Sequence, residues 1–133
     1  MKPASGLLTS DKKIKDESII WAISGLSEVK KNISLIGYPN NNITFVKGDI
    51  LKTIPDNSPA NIALLRLDTD WYESTKHELV HLYPLLSQRG ILIIDDYGHW
   101  RGSRDAVNEY IKEKGLKLLL NRMDDTGRCA IKI

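Results

Sequence analysis

Two apolar runs in this chain finish in pairs of carboxylates. "LLRLDTDWYEST", residues 64–75, carries Leu64, Leu65 and Leu67 and then Asp68 and Asp70, while "ILIIDDYG", residues 91–98, ends its aliphatic stretch in Asp95 and Asp96. If the runs are neighbouring strands, their axes lie about 4.8 Å apart and the four carboxylates converge on one small volume. Carboxylates that close repel, so a cation or a proton must offset the charge. An all-oxygen cluster suits a hard divalent ion such as Mg²⁺ and suits zinc poorly without Cys or His. On this reading Asp68, Asp95 and Asp96 are metal ligands, and Asp70 is the general base for a hydroxyl whose pKa the metal has lowered. Two plainer readings stand beside it. Asp70-Trp71-Tyr72-Glu73 has the spacing of a capping box, and Arg66 is available to pair with a carboxylate without any metal. Two acidic strand ends on the same sheet edge favour the metal.

"HELVH", His77 to His81, matches the H-E-x-x-H pattern of zinc peptidases. At 100° per residue, Leu79, Leu82 and Leu86 define the core face of that helix and the histidines fall nearly opposite. "HLYPLLSQ" follows, without the Gly and third His of the extended zinc motif. Solvated histidines explain the segment better than a zinc hydrolase does. In "DDYGHWRG", His99 and Trp100 sit above the acidic pair, either lining a substrate pocket or packing over the strand ends. Trp71 is open to the same two readings. Tyr97 and Gly98 shape the loop, glycine permitting a sharp turn.

These side chains need elements to hold them. Leu26, Val29, Ile33 and Ile36 recur at helical spacing until Gly37 and Pro39. "ITFVKGD" (43–49) predicts a short strand, "KTIPDNSPAN" a loop, and "IALLRLD" (62–68) a strand covered on both faces. A helix is expected over about Tyr72–Leu86, with Thr75, Leu79, Leu82, Tyr83 and Leu86 on one face. "GILIIDD" is a second buried strand, and another helix is expected near Ser103–Lys114. "LKLLLNRMDDTGRCAIKI" reads as a hairpin turning around Asp125–Gly127. Strands alternating with helices give parallel β-α-β units. The expected fold is therefore an α/β, doubly wound sheet, mostly parallel with a C-terminal antiparallel hairpin, and its ligands bind outside the carboxyl ends of the strands.

The composition agrees with a globular domain and with little else. The chain has 133 residues, 41% hydrophobic and 27% charged, which excludes a disordered or fibrous class. A net charge of +2 is too small to argue for nucleic acid. Cys129 stands alone, which excludes an internal disulfide; it reads as a small core residue of a strand. No apolar run approaches the roughly 20 residues of a membrane span, and no apolar h-region directs secretion, so a soluble cytoplasmic protein is expected. Residues 1–20 mix turn formers with charge and read as a solvated arm.

From about Trp21 to the C-terminus the chain resembles the macrocin O-methyltransferase (TylF/MycF) family. The resemblance rests on "GYPNNNITFVKGDILKTIP", "LLRLDTDWYESTKHELVHLYPLL", "GILIIDDYGHWRGSRDAVNEY" and "DDTGRCAIKI". It implies an incomplete Rossmann-like, class I methyltransferase-type fold, and methylation of a sugar-type hydroxyl with S-adenosylmethionine and Mg²⁺. It implies Asp68, Asp95 and Asp96 as metal ligands, Asp70 as base, and Gly48 and Asp49 as cofactor-binding candidates. The N-terminal segment corresponds to a mobile lid. The acceptor is a small sugar or glycoside, with no nucleic acid and no membrane as partner.

The departures from that family are specific. A complete enzyme of this type has an earlier strand, a glycine-rich turn and an acidic residue for the ribose. This chain has nine glycines and no G-x-G, and nothing before Trp21 reads as that strand. Residues 21–133 are thus expected to be the C-terminal portion of a methyltransferase domain, with most of the methyl-donor site missing. Gly25 stands where relatives often place a serine cap. A non-catalytic remnant or a partner-dependent subunit is the alternative. With "ITFVKG" as an unpaired edge, oligomerisation is expected.

Overall fold

A computed structural model describes residues 25–133, and the arm expected over residues 1–20 lies outside them. The chain divides into two compact units between Lys47 and Gly48. In the first, helix α1 spans Leu26–Ser34 and ends before Gly37, whose φ of 72° is the left-handed conformation that suits glycine at a helix end. Gly25 is its N-cap and supplies no side-chain cap, yet the helix forms, because the Gly25 carbonyl accepts the Val29 amide at 3.1 Å. A 3₁₀ turn follows at Asn40–Asn42. The strand expected over 43–49 is not formed. Ile43 has extended backbone, but among the described residues this segment joins no ladder, and extended backbone becomes a strand only through hydrogen bonds to a neighbour.

The second unit holds a mixed four-stranded sheet. After the one-turn helix α2 (Ile50–Thr53) come β1 (Ile62–Leu67), α3 (Tyr72–Leu82), β2 (Leu86–Ile94), α4 (Arg101–Glu113), β3 (Asn121–Arg122) and β4 (Arg128–Ile131), in the sheet order β1-β2-β4-β3. β1 and β2 are parallel, with Leu67 opposite Ile94; β4 is antiparallel to both β2 and β3, which closes the expected hairpin. Helix α3 stops four residues earlier than its apolar pattern suggests. Pro84 has no N–H to give the helix and its ring crowds the carbonyl four residues back, so the chain tightens into a 3₁₀ turn at Tyr83–Leu85 and Leu86 opens β2 instead.

Leu65, Leu67, Leu92 and Ile94 bury one sheet face against Leu79, Tyr83, Val107 and Tyr110 of the α3 and α4 segments. On the other face Leu64, Ile91 and Ile131 lie in one cross-strand row at 53%, 42% and 57% exposure, so burial on both faces holds for one face among the described residues. Lys76 of α3 pairs with Glu109 and Glu113 of α4 at 3.0 and 2.6 Å, tying the two helices together. No described helix is long and apolar enough to cross a membrane.

The loop after β2 is fastened from two sides. The Gly98 amide donates to the Thr126 carbonyl at 2.7 Å, and Arg104 of α4 donates to the carbonyls of Tyr97 and Gly98, both at 3.0 Å. The Tyr97 ring lies against Arg104 and Arg128 while its hydroxyl donates to Asn108. A Cβ at Gly98 would stand 2.0 Å from the Asp125 carbonyl oxygen, so only glycine allows the hairpin turn this close. Gly98→Ala is expected to cost about 1–3 kcal/mol, the usual penalty of overpacking. Urea unfolding checks it, and an unchanged midpoint would show that the turn yields freely.

Candidate active site

The site forms where β1 and β2 run out. Because side chains alternate along a strand, Arg66 and Asp68 share a face of β1, and the register that sets Leu67 opposite Ile94 brings Asp68 opposite Asp95. The ladder runs one step past β2, the Asp95 amide donating to the Leu67 carbonyl at 2.9 Å. Asp68, Asp95 and Asp96 each contribute a carboxyl oxygen, and these oxygens lie within 4.8 Å of one another. The geometry thus brings together three of the four carboxylates expected to converge, the three read as ligands, and Asp70 is not in that cluster.

Part of the negative charge is offset by the chain itself. Arg66 Nη2 lies 2.9 Å from Asp68 Oδ2 and 3.0 Å from Asp95 Oδ1, so the metal-free pairing foreseen for Arg66 is present. Hydrogen bonding to Asp95 and the charges of the nearby aspartates raise the guanidinium's proton affinity. Asp68 is nonetheless raised above the usual carboxylate range, because desolvation and the neighbouring Asp95 outweigh the arginine. Asp96 carries the largest burden: burial first, and then the charges of Asp70, Asp68 and Asp95, lift its pKa to about 6. Its Oδ2 is buried and has no hydrogen-bond partner. One arginine against four carboxylates, with a buried oxygen left unsatisfied, fits a further hard cation with oxygen preference.

Asp70 stands near enough to Asp96 for its charge to act there. The capping-box reading of Asp70 does not hold. The N-cap of α3 is Trp71, whose carbonyl accepts the Thr75 amide at 3.1 Å, and no side chain caps that helix start. Trp71 therefore has a backbone role. Trp100 does the same for α4, its carbonyl accepting the Arg104 amide, while exposed His99 meets its ring edge-on at 4.8 Å. Gly48 and Asp49 precede α2. The Asp49 carboxylate accepts the Leu51 amide at 3.0 Å as that helix's cap, and it is not part of the acidic cluster.

The histidines of "HELVH" are half-buried rather than solvated. His77 Nε2 donates to the Ile54 carbonyl at 3.0 Å, and the His81 ring packs 4.4 Å from the His77 ring. Their helix flank meets the loop after α2, which the helical wheel of α3 alone could not reveal. Glu78 turns the other way, into the core, where it is 5% exposed and accepts the Thr69 hydroxyl at 2.6 Å. The three residues form no metal-ligand cluster among the described residues. Thr75 reads from the sequence as a core-face residue and Glu78 as part of "HELVH", but their bonds to Thr69 have no sequence signal, nor does Gly102, where a Cβ would meet the Tyr72 amide nitrogen at 2.9 Å. The neighbouring T-D-W-Y-E-S-T pattern gives no signal that its threonines face each other.

Comparison with known proteins places this geometry in context. The family model for macrocin-O-methyltransferase (TylF) matches residues 3–130. An 8-demethyl-8-(2,3-dimethoxy-α-L-rhamnosyl)-tetracenomycin-C 4'-O-methyltransferase from Streptomyces olivaceus is 36% identical over 102 residues, 77% of this chain and 39% of the relative. Mycinamicin III 3''-O-methyltransferase from Micromonospora griseorubida is 35% identical, covering 78% of this chain and 41% of its own length. The chain thus spans about two-fifths of the curated relatives it matches. Among solved structures, the O-methyltransferase NovP superposes with a TM-score of 0.77 at 31% identity, over 81% of this chain and 45% of that one. CalS11, a calicheamicin methyltransferase, reaches 0.64 at 23% identity over 84% of this chain and 49% of that one, a likeness of fold.

The Asp96 environment has a measurable consequence. Folding takes up a proton at Asp96 between the ordinary carboxylate range and about pH 6, so this contribution to stability is present below that window and is lost as pH rises through it. Without added metal, Asp96→Asn is expected to raise the thermal midpoint by roughly 2–5 °C at about pH 7.5 and to leave it unchanged at about pH 4. A lowered midpoint at the higher pH would show that the charge is already compensated.

Proposed function

Because the chain belongs to the macrocin-O-methyltransferase (TylF) family, we propose that it carries the metal and acceptor chemistry of an S-adenosylmethionine-dependent, Mg²⁺-assisted O-methyltransferase acting in the cytoplasm on a hydroxyl of a sugar or glycoside. The observation that carries this reading is the convergence of Asp68, Asp95 and Asp96 within 4.8 Å, with Asp70 beside them. The names of two relatives point the same way, one specifying 4'-O-methylation of a rhamnosyl-tetracenomycin and the other 3''-O-methylation of mycinamicin III.

In this reading Asp68, Asp95 and Asp96 hold Mg²⁺, which supplies Lewis-acid polarisation of the acceptor hydroxyl. S-adenosylmethionine supplies the electrophilic methyl group, and Gly48 and Asp49 are its candidate contacts in this portion of the domain. Asp70 accepts the hydroxyl proton as the oxygen becomes a nucleophile, and the rigid strand ends keep base and acceptor in register. Arg66 holds Asp68 and Asp95 side by side, which keeps their carboxylates oriented toward the shared volume.

Titration of the chain with Mn²⁺, a spectroscopic substitute for Mg²⁺, tests the metal. One site lost on Asp95→Ala is expected; stoichiometric zinc held through His77 and His81 instead would overturn the assignment. For the base, the residue corresponding to Asp70 in full-length mycinamicin III 3''-O-methyltransferase is changed to Ala. A fall in kcat of about 10²–10⁴ is expected, the usual contribution of general base catalysis, and unchanged turnover removes Asp70 from that role.

A second reading, a portion that works only with a partner chain, is favoured by the exposed row of Leu64, Ile91 and Ile131. It predicts concentration-dependent oligomers of the isolated chain in sedimentation velocity and very weak binding of S-adenosylhomocysteine by calorimetry. A well-behaved monomer with micromolar affinity for that ligand contradicts it.

A further inference from the structure

We propose that Thr75 and Glu78 are positioning residues: a clamp on α3 that fixes Thr69 and, through it, the spacing between Asp68 and Asp70. The inference rests on the reading of Asp68, Asp95 and Asp96 as ligands and Asp70 as base. Thr69 lies between ligand and base in the sequence, and its carbonyl and its hydroxyl are both held from the same helix. The Thr75 hydroxyl donates to the Thr69 carbonyl at 2.8 Å, and the Thr69 hydroxyl donates to Glu78 Oε2 at 2.6 Å. Each hydroxyl has one proton, so these two bonds use both, and the 3.2 Å approach of the two threonine oxygens adds closeness rather than a third bond.

Burial argues that this arrangement does more than complete the helix. Thr75 is fully buried and Glu78 is 5% exposed. No Lys or Arg among the described residues forms a salt bridge with Glu78, and burial raises its proton affinity. A buried carboxyl without a cationic partner is costly, and an apolar side chain beside Leu79 would serve the core better. The Thr69 hydroxyl is the group that gives this carboxyl a use. On the opposite side Gly102 of α4 lets the Asp70–Tyr72 backbone approach, its Cβ position being 3.5 Å from the Asp70 carbonyl oxygen. The Asp68–Asp70 turn, which has no helix-capping side chain of its own, is therefore gripped between α3 and α4. The glutamate of "HELVH" thus orders the acidic site from inside the core, on the side away from His77 and His81.

Two readouts on the intact chain test the clamp, one of them independent of metal. Variants are Glu78→Leu, Thr75→Val and Glu78→Gln, with Leu79→Ala as a core control on the same helix that leaves Thr69 untouched. In Glu78→Leu and Thr75→Val, the backbone NMR order parameters of Thr69 and Asp70 are expected to fall from about 0.85 to below about 0.6. Mn²⁺ affinity is expected to weaken about 10–100-fold, as for other groups that orient metal ligands. Glu78→Gln still accepts the Thr69 hydroxyl and is expected to restore both, while Leu79→Ala lowers stability and changes neither. Thr75→Val is nearly isosteric and keeps the answer readable where Glu78→Leu disturbs packing. Wild-type order parameters in both disruptive variants overturn the clamp, as does an equal effect from Leu79→Ala. Failure of the wild-type chain to bind Mn²⁺ defeats the metal reading instead, and the order parameters still decide whether Thr69 is clamped.

Discussion

The parallel pairing of β1 with β2 forces like charges together. Once Leu67 faces Ile94 in the ladder, Asp68 and Asp95 have no freedom to separate, since each is the next residue of its strand and the Asp95 amide is already bonded to the Leu67 carbonyl. The cost is electrostatic and the compensation is hydrophobic. Leu65, Leu67, Leu92 and Ile94 bury their side chains on the face toward α3 and α4, and that burial holds two acidic tips at a distance that free carboxylates would avoid. Arg66 answers part of the repulsion from within β1, its one nitrogen reaching both tips.

The elements that follow each strand then fix the remaining carboxylates. After β1 the chain enters α3 with Thr69 tied to Thr75 and Glu78, so Asp70 leaves the strand in a defined direction. After β2 the amides of His99 and Trp100 fold back on the Asp96 carbonyl, and the hairpin turn presses on Gly98. Asp124 supports that turn, accepting the Thr126 amide at 2.9 Å as well as the Gly127 amide, and these donors hold its pKa below the usual range. The hairpin is therefore part of the support of the acidic loop as well as the edge of the sheet.

Much of this was legible because the informative patterns are local. Aliphatic runs of four to six residues ending in Asp marked the two strands and their carboxyl ends, and the alternation of strands with helices gave the parallel pairing. The turn residues around Asp124–Gly127 marked the hairpin. Where the reading failed, a non-local partner decided two of the cases, the strand at 43–49 and His77. "ITFVKGD" has strand composition but no ladder neighbour among the described residues. Asp70 has capping-box spacing, but the backbone starts α3 at Tyr72 with Trp71 as cap, which leaves the carboxylate for other work. His77 lies on the face opposite the sheet-facing leucines and still finds the Ile54 carbonyl, because a loop passes there. The end of α3 was in principle readable from Pro84, whose effect the leucine periodicity masked.

Anomalous diffraction from crystals of the chain grown with Mn²⁺ tests the central claim most directly, because it locates the ion without reference to activity. The account predicts one strong peak bounded by Asp68, Asp95 and Asp96, about 2.0–2.3 Å from an oxygen of each. A peak elsewhere, or none at saturating Mn²⁺ while Arg66 still bridges Asp68 and Asp95, would mean that the arginine alone balances these strand ends and that they are a structural ion pair.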